Sequence, residues 1–223
     1  MNELVVFDLD NTLIKGQSLK LFLTYSWKNN LIGFFSYLKI LFWFLLYKMG
    51  LVRNPQRIME YGFSFLKGKN VGEIKRIIKE YFEKDLKRHI YKDAVKILQE
   101  HKEKGRKIII VSNSIELILE EIARFLGIDY FIGTKLETEK EKFTGRIKNG
   151  IIYGEKKVEF VRNIIKKMEF SFDRSWAYTD HDSDMSLLKS VRYPFAVNPT
   201  KKLRNEALTK KWPILIFKEN MIK

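Results

Sequence analysis

Short apolar runs alternate along this chain with longer segments of helical period, and few architectures accommodate that rhythm. Residues 4–7, 108–111, 176–178, 195–197 and 214–217 are rich in β-branched and aromatic side chains and read as strands. Segments near 93–104, 115–126, 157–168 and 201–211 carry apolar residues at helical spacing. Strands separated by helices predict an α/β fold, a parallel sheet covered by helices on its faces.

Two intervals depart from the rhythm. Residues 17–88 hold aromatic and aliphatic helix-like segments with few strand signals, which predicts an all-helical insertion after the first strand. The expected organisation is a catalytic core of residues 1–16 plus 89–223 and a helical domain of residues 17–88. Residues 134–153 alternate polar and apolar side chains, with turn signals at Thr144-Gly145 and Asn149-Gly150, and predict a small antiparallel hairpin.

Ligands of an open parallel sheet bind beyond the carboxyl ends of its strands, so polar residues that end apolar runs are the first candidates for chemistry. The first run ends in Asp8-Leu9-Asp10-Asn11-Thr12, the second in Ser112-Asn113-Ser114, and the third in Thr179-Asp180-His181-Asp182-Ser183-Asp184. If these strands are neighbours, a carboxylate cluster faces a hydroxyl at one sheet edge. Converging carboxylates repel unless a cation sits among them. The chain has no cysteine and three scattered histidines, so a thiol nucleophile, disulfides and cysteine-held zinc are excluded. A metal here is held by oxygen, which makes Mg²⁺ the first candidate and leaves one carboxylate free to attack phosphorus. At about 100° per residue Lys157 shares a face with Val161, Ile164, Ile165 and Met168, whereas Lys156 lines up with Phe160, Asn163 and Lys167. Lys157 is therefore the lysine expected against the sheet. His89 and His101 are expected at the surface or an interface without chemistry, and His181 and Asp182 as spacers.

These residues resemble the four motifs of the haloacid dehalogenase superfamily, subfamily IB, in its phosphoserine phosphatase-like branch. Asp8 to Thr12 is similar to the first motif (DxDxT), Ser112 to the second, Lys157 to the third, and Asp180 with Asp184 to the fourth (DxxxD). Leu126-Gly127-Ile128-Asp129, Thr144-Gly145, Val197-Asn198-Pro199 and Trp212-Pro213 also fall where relatives carry such residues. The resemblance implies a Rossmann-like core with an inserted helical C1-type cap. It implies a phosphatase that works through an aspartyl-phosphate, with Asp8 as nucleophile and Asp10 as general acid and then base. Ser112, Asn113 and Lys157 would bind the phosphoryl group. Asp8, Asp10 through its carbonyl, Asp180 and Asp184 would hold Mg²⁺, and Thr12 would steady the Asp8 loop. Thr179 and His181 depart from the glycine and serine common in the family. Gln17 stands where phosphoserine phosphatases place a glutamate for the substrate ammonium, which disfavours phosphoserine and leaves other small phosphorylated metabolites.

The formal charge of +15 favours anionic partners without choosing among them. No basic arm, zinc finger or RNA-binding strand motif accompanies it, so nucleic acid is not expected. Two rivals stay open: a phosphotransferase with the same chemistry, and a basic non-catalytic protein that binds nucleic acid or membranes. Residues 31–47 are apolar around nearly a whole helix, about 26 Å long at 1.5 Å per residue. That falls a little short of a bilayer core of about 30 Å, with Lys39 in the middle. Burial in the cap is expected, with peripheral membrane contact or dimer contact left open. Met1-Asn2-Glu3 has no basic n-region and residues 4–7 stop at Asp8, so the expected location is cytoplasmic, with membrane association open.

Overall fold

The computed structural model describes residues 2–49, 51 and 54–221. Its frame is a seven-stranded sheet in the order β4-β3-β2-β1-β5-β6-β7. At the centre, β1 (Asn2–Phe7) lies parallel to both β2 (Lys107–Ile115) and β5 (Phe170–Thr179). Outside them come β3 (Tyr130–Glu139), parallel to β2, then β6 (Tyr193–Val197) and β7 (Ile214–Leu215), parallel in turn to β5. Among the described strands β4 (Lys142–Lys148) alone runs antiparallel, paired with β3.

Side chains of a strand alternate between faces, and here each face meets its own apolar cluster. Val5, Phe7, Ile108 and Ile110 pack on one side, Leu4, Val6, Ile109 and Val111 on the other. Both faces of the central strands are buried, which explains why they read as continuous apolar runs. Helices α5 (Lys92–Glu103), α6 (Glu116–Leu126), α7 (Glu155–Lys167), α8 (Met185–Ser190) and α9 (Lys201–Lys210) complete the core. Gly127 ends α6 in the left-handed conformation at φ 58°, and the Ile128 N–H returns to the Ala123 carbonyl at 2.8 Å.

Between β1 and α5 lie α1 (Ser18–Lys28), α2 (Phe34–Lys48), α3 (Pro55–Phe63) and α4 (Val71–Lys84), with short 3₁₀ turns at Ser64–Leu66 and Leu86–His89. Asn54 caps α3 through the Arg57 N–H, ahead of Pro55 in the first turn, and Asn70 caps α4. Phe22, Tyr25, Met59, Phe63 and Tyr81 share one apolar cluster with Phe7 and Ile110, so packing runs without a break from these helices onto the sheet. Backbone bonds from Gly68 N to Phe143 O (2.8 Å) and Val71 N to Glu141 O (2.9 Å) tie the insertion to the β3–β4 hairpin. Among the described residues no helix is long and apolar enough to cross a membrane.

The structure departs from the sequence reading at two places. The hairpin turns at Lys140-Glu141, both with positive φ (47° and 58°), rather than at Thr144-Gly145. Gly145, at φ 83°, instead lies where the pairing register slips, in a bulge of β4. Residues 130–134 form an inner strand that residue pattern did not reveal. By contrast, β2 runs through Ser114 to Ile115 and α6 begins at Glu116, within one residue of the helical segment read near 115–126.

Candidate active site

The topology sets the carboxyl end of β1 between those of β2 and β5, and the residues that follow these strands converge there. Asp8, Ser112, Lys157, Asp180 and Asp184 are all buried. Lys157, in the first turn of α7, is 4% exposed and donates to Asp8 Oδ1 and Asp184 Oδ2, both at 2.6 Å. Lys156, one residue earlier, is exposed, as the helical period predicts. Burial works to discharge the Lys157 ammonium, but the Asp184 and Asp8 carboxylates outweigh it and hold its pKa above the usual lysine value.

Asp10 turns the other way. Its Oδ1 accepts the Ser18 N–H at 2.9 Å, at the start of α1, so the insertion itself positions this carboxyl. Burial raises its pKa, while the Ser18 amide pulls it down. A carboxyl inclined to carry a proton suits an acid that must protonate a leaving group. Burial also dominates Asp8, pushing its pKa well above the usual carboxylate range. Lys157 opposes that rise, and the charges of Asp184, Asp180 and Asp10 add to it. Asp180 is pushed up to about 6, chiefly by burial, with the Asn11 amide (Nδ2 to Oδ2, 3.0 Å) opposing.

Four carboxyls around one ammonium leave negative charge uncompensated, the setting a hard divalent cation satisfies. Among the described residues no three His, Asp or Glu side chains form a ready-made metal group. The donors offered are instead the Asp8 and Asp180 oxygens not engaged by Lys157 and Asn11, with the Asp10 carbonyl nearby in the chain. A partial all-oxygen set fits Mg²⁺, which keeps several waters and shares its shell with phosphate. One oxygen of Asp184 is committed elsewhere: Oδ2 accepts both Lys157 and the Thr179 hydroxyl, the latter at 2.7 Å. Asp184 thus anchors the lysine, and its Oδ1, which accepts the Ser183 hydroxyl at 3.4 Å, is the oxygen left for the metal role expected of it.

The remaining expected residues are also placed. Ser112 Oγ accepts the Ser114 N–H at 3.1 Å, and Asn113 is held by Thr134, whose hydroxyl donates to the Asn113 carbonyl at 2.9 Å. Thr12 is fully buried and its hydroxyl has no partner, so the loop is steadied by backbone bonds to the Leu9 carbonyl. Gln17 is exposed at the start of α1 and makes no side-chain cap. Asp10, Gln17, Ser18, Asn113, Ser114 and His181 line the polar floor of a cavity of about 510 Å³.

Residue pattern missed several participants. Asn11, at φ 53°, holds Asp180 and is itself held through its carbonyl by Asn198 Nδ2 at 3.0 Å. The Thr179 hydroxyl explains one departure from the family pattern, since it anchors Asp184. His181 is more than a spacer: its Nδ1 accepts the Ser183 N–H at 3.1 Å and the residue borders the cavity. Asp182 pairs with Lys202 at 3.1 Å. His101 is buried rather than at the surface, bonded to Tyr178.

Known proteins resemble this chain in sequence and fold. The model of the family described as haloacid dehalogenase-like hydrolase matches residues 5–189. The "Inhibition of morphological differentiation protein" of Streptomyces azureus is 32% identical over 214 residues, covering 95% of this chain and 77% of that one. A protein of Mycobacterium tuberculosis named phosphoserine phosphatase is 27% identical over 220 residues, covering 95% and 70%. A crystal structure of a protein of unknown function from Bordetella pertussis superposes with a TM-score of 0.89 at 23% identity, covering 96% of this chain and 99% of that one.

Proposed function

This chain belongs to the haloacid dehalogenase-like hydrolases and is a phosphatase, and from that premise we propose that it hydrolyses phosphomonoesters through an aspartyl-phosphate on Asp8. The observation that carries the reading is the Lys157 bridge: one ammonium 2.6 Å from both Asp8 and Asp184 fixes the nucleophile and supplies positive charge where a phosphoryl group would lie.

A carboxylate oxygen of Asp8 attacks phosphorus and the ester P–O bond breaks. Asp10 gives its proton to the leaving oxygen, releasing the alcohol. Asp10 then takes a proton from water, the resulting hydroxide attacks phosphorus, and the Asp8–phosphorus link breaks to release inorganic phosphate and the free carboxylate. Ser112 and the Asn113 amide face the same phosphoryl group. Asp8, Asp180 and the Asp10 carbonyl would hold Mg²⁺, which when bound neutralises phosphate charge. The helices between β1 and α5 act as the cap that excludes water, since α1 sets Asp10 and α2 and α3 wall the cavity. Gln17 offers no carboxylate to an ammonium, and phosphoserine is accordingly disfavoured.

Phosphate release from a panel of monoesters in Mg²⁺ tests the reading. Turnover is expected to vanish with EDTA and to fall at least about 10³-fold in Asp8→Asn. An Asp8→Asn protein that retains wild-type turnover overturns it.

A further inference from the structure

The cavity above Asp10 has two unlike halves. Against the polar floor stands a wall of Leu19, Leu41, Phe44, Leu45, Ile58 and Met59, supplied by α1, α2 and α3. Among the described residues that line the cavity, Asp10 on the floor is the one carboxyl, and the wall itself offers none to a charged or hydroxylated substrate; Lys20 is the cation beside it. A small polar phosphate ester would leave it unfilled.

The same helix α2, with Met49 just after it, carries an apolar stripe outward. Phe35, Leu38, Phe42, Leu45 and Met49 recur at steps of three and four residues and are 44–85% exposed. Leu45 belongs to both stripe and wall, so the outer face and the cavity are continuous. Residues 11–59 contain seven lysines and arginines and no aspartate or glutamate. That balance repels a second copy of the same face and complements an anionic lipid surface.

Building on the phosphomonoesterase reading, we infer that the substrate is a phosphomonoester with an alkyl or acyl tail, taken from an anionic lipid surface on which the outer face of α2 rests. The phosphate reaches Asp8 and Lys157, and the tail lies along the Leu41–Leu45–Met59 wall.

The test is a series of alkyl phosphates from ethyl to octyl, kept below micelle-forming concentration, with p-nitrophenyl phosphate beside it. The protein is also sedimented with vesicles of phosphatidylglycerol or of phosphatidylcholine alone. We expect kcat/KM to rise about threefold to fourfold per methylene while the tail stays within the wall. In Leu45→Glu, a partly exposed position, the octyl-to-ethyl ratio should fall at least tenfold. Sedimentation with the anionic vesicles only is expected, and Phe35→Ser/Phe42→Ser should abolish it. Turnover of short esters with no rise along the series overturns the tail while sparing the phosphatase reading. Absence of turnover on every ester overturns both. Failure to bind anionic vesicles, or a dimer in their place, overturns the lipid surface.

Discussion

Lys157 is, among the described residues, the buried lysine on which two buried carboxylates depend. Removing one partner of a buried pair is costly because the other charge stays behind. Lys157→Met should therefore destabilise the metal-free protein by about 3–5 kcal/mol in urea unfolding, as well as abolish turnover. Adding Asp8→Asn to that variant removes one stranded charge and should restore part of the loss. Full additivity of the two changes would show that the bridge is not coupled as the 2.6 Å contacts require. Thr179 acts one step further out, holding Asp184. Thr179→Val deletes a hydrogen bond to a carboxyl oxygen, at about 1–3 kcal/mol of stability. Its kcat should fall while KM changes little, since the residue positions Lys157 without meeting substrate. Unchanged kcat would show that Asp184 holds its place without the hydroxyl.

Elements are joined closely behind the site, and Gly133 marks one such join. A Cβ there would lie 2.7 Å from the Ser114 carbonyl oxygen and 2.6 Å from Leu119 Cδ1. The leucine can turn aside but the backbone cannot, so Gly133→Ala should force β3 away from the β2–α6 junction, costing about 1–3 kcal/mol. Because that junction carries Asn113 and Ser114, turnover should drop as well; Gly33→Ala, where a Cβ meets open space, is the control for thermal unfolding. Gly133 also explains why this strand was hard to read. A glycine inside the run and the polar Lys135–Glu139 tail dilute the apolar signal of Tyr130-Phe131-Ile132, whereas β1 and β2, buried on both faces, announce themselves. The hairpin turn was misplaced for a related reason: Lys140 and Glu141 adopt positive φ without the glycine or asparagine that usually signals it. Lys157 was legible because helical period separates it from Lys156. Asn11, Asn198 and Thr179 were not, because their role is to hold other side chains across 169 and more residues of sequence or through one hydroxyl, which no local pattern records.

At the scale of the whole molecule, folding must also place in the core a titratable group that is not part of the carboxylate cluster. His101, on α5, is 5% exposed and lies between Arg106 and Tyr178. Arg106 can only donate, at 3.0 Å to Nδ1, so the ring keeps its proton on Nε2, which bonds the Tyr178 hydroxyl at 2.9 Å. A second proton has no acceptor to meet, and burial, aided by Arg106 and Lys104 against Glu3, lowers the pKa to about 4. The unfolded chain, with an ordinary histidine pKa of about 6.5, then binds more protons than the folded one between those values. The contribution of His101 is fully present above pH 6.5 and is lost as pH falls toward 4, amounting to about 1–2 kcal/mol by pH 5. Asp10 and Asp180, whose pKa values are raised, act with the opposite sign and stabilise the fold as pH falls. Total stability is therefore the wrong observable, and the difference between wild type and His101→Gln isolates the histidine. Glutamine keeps one donor and one acceptor but does not titrate, so its deficit in urea unfolding should be largest at pH 7 and shrink by about 1–2 kcal/mol at pH 5. A deficit constant across that range would mean that His101 takes up its proton as readily folded as unfolded, and that the Arg106–His101–Tyr178 chain of bonds does not hold it neutral.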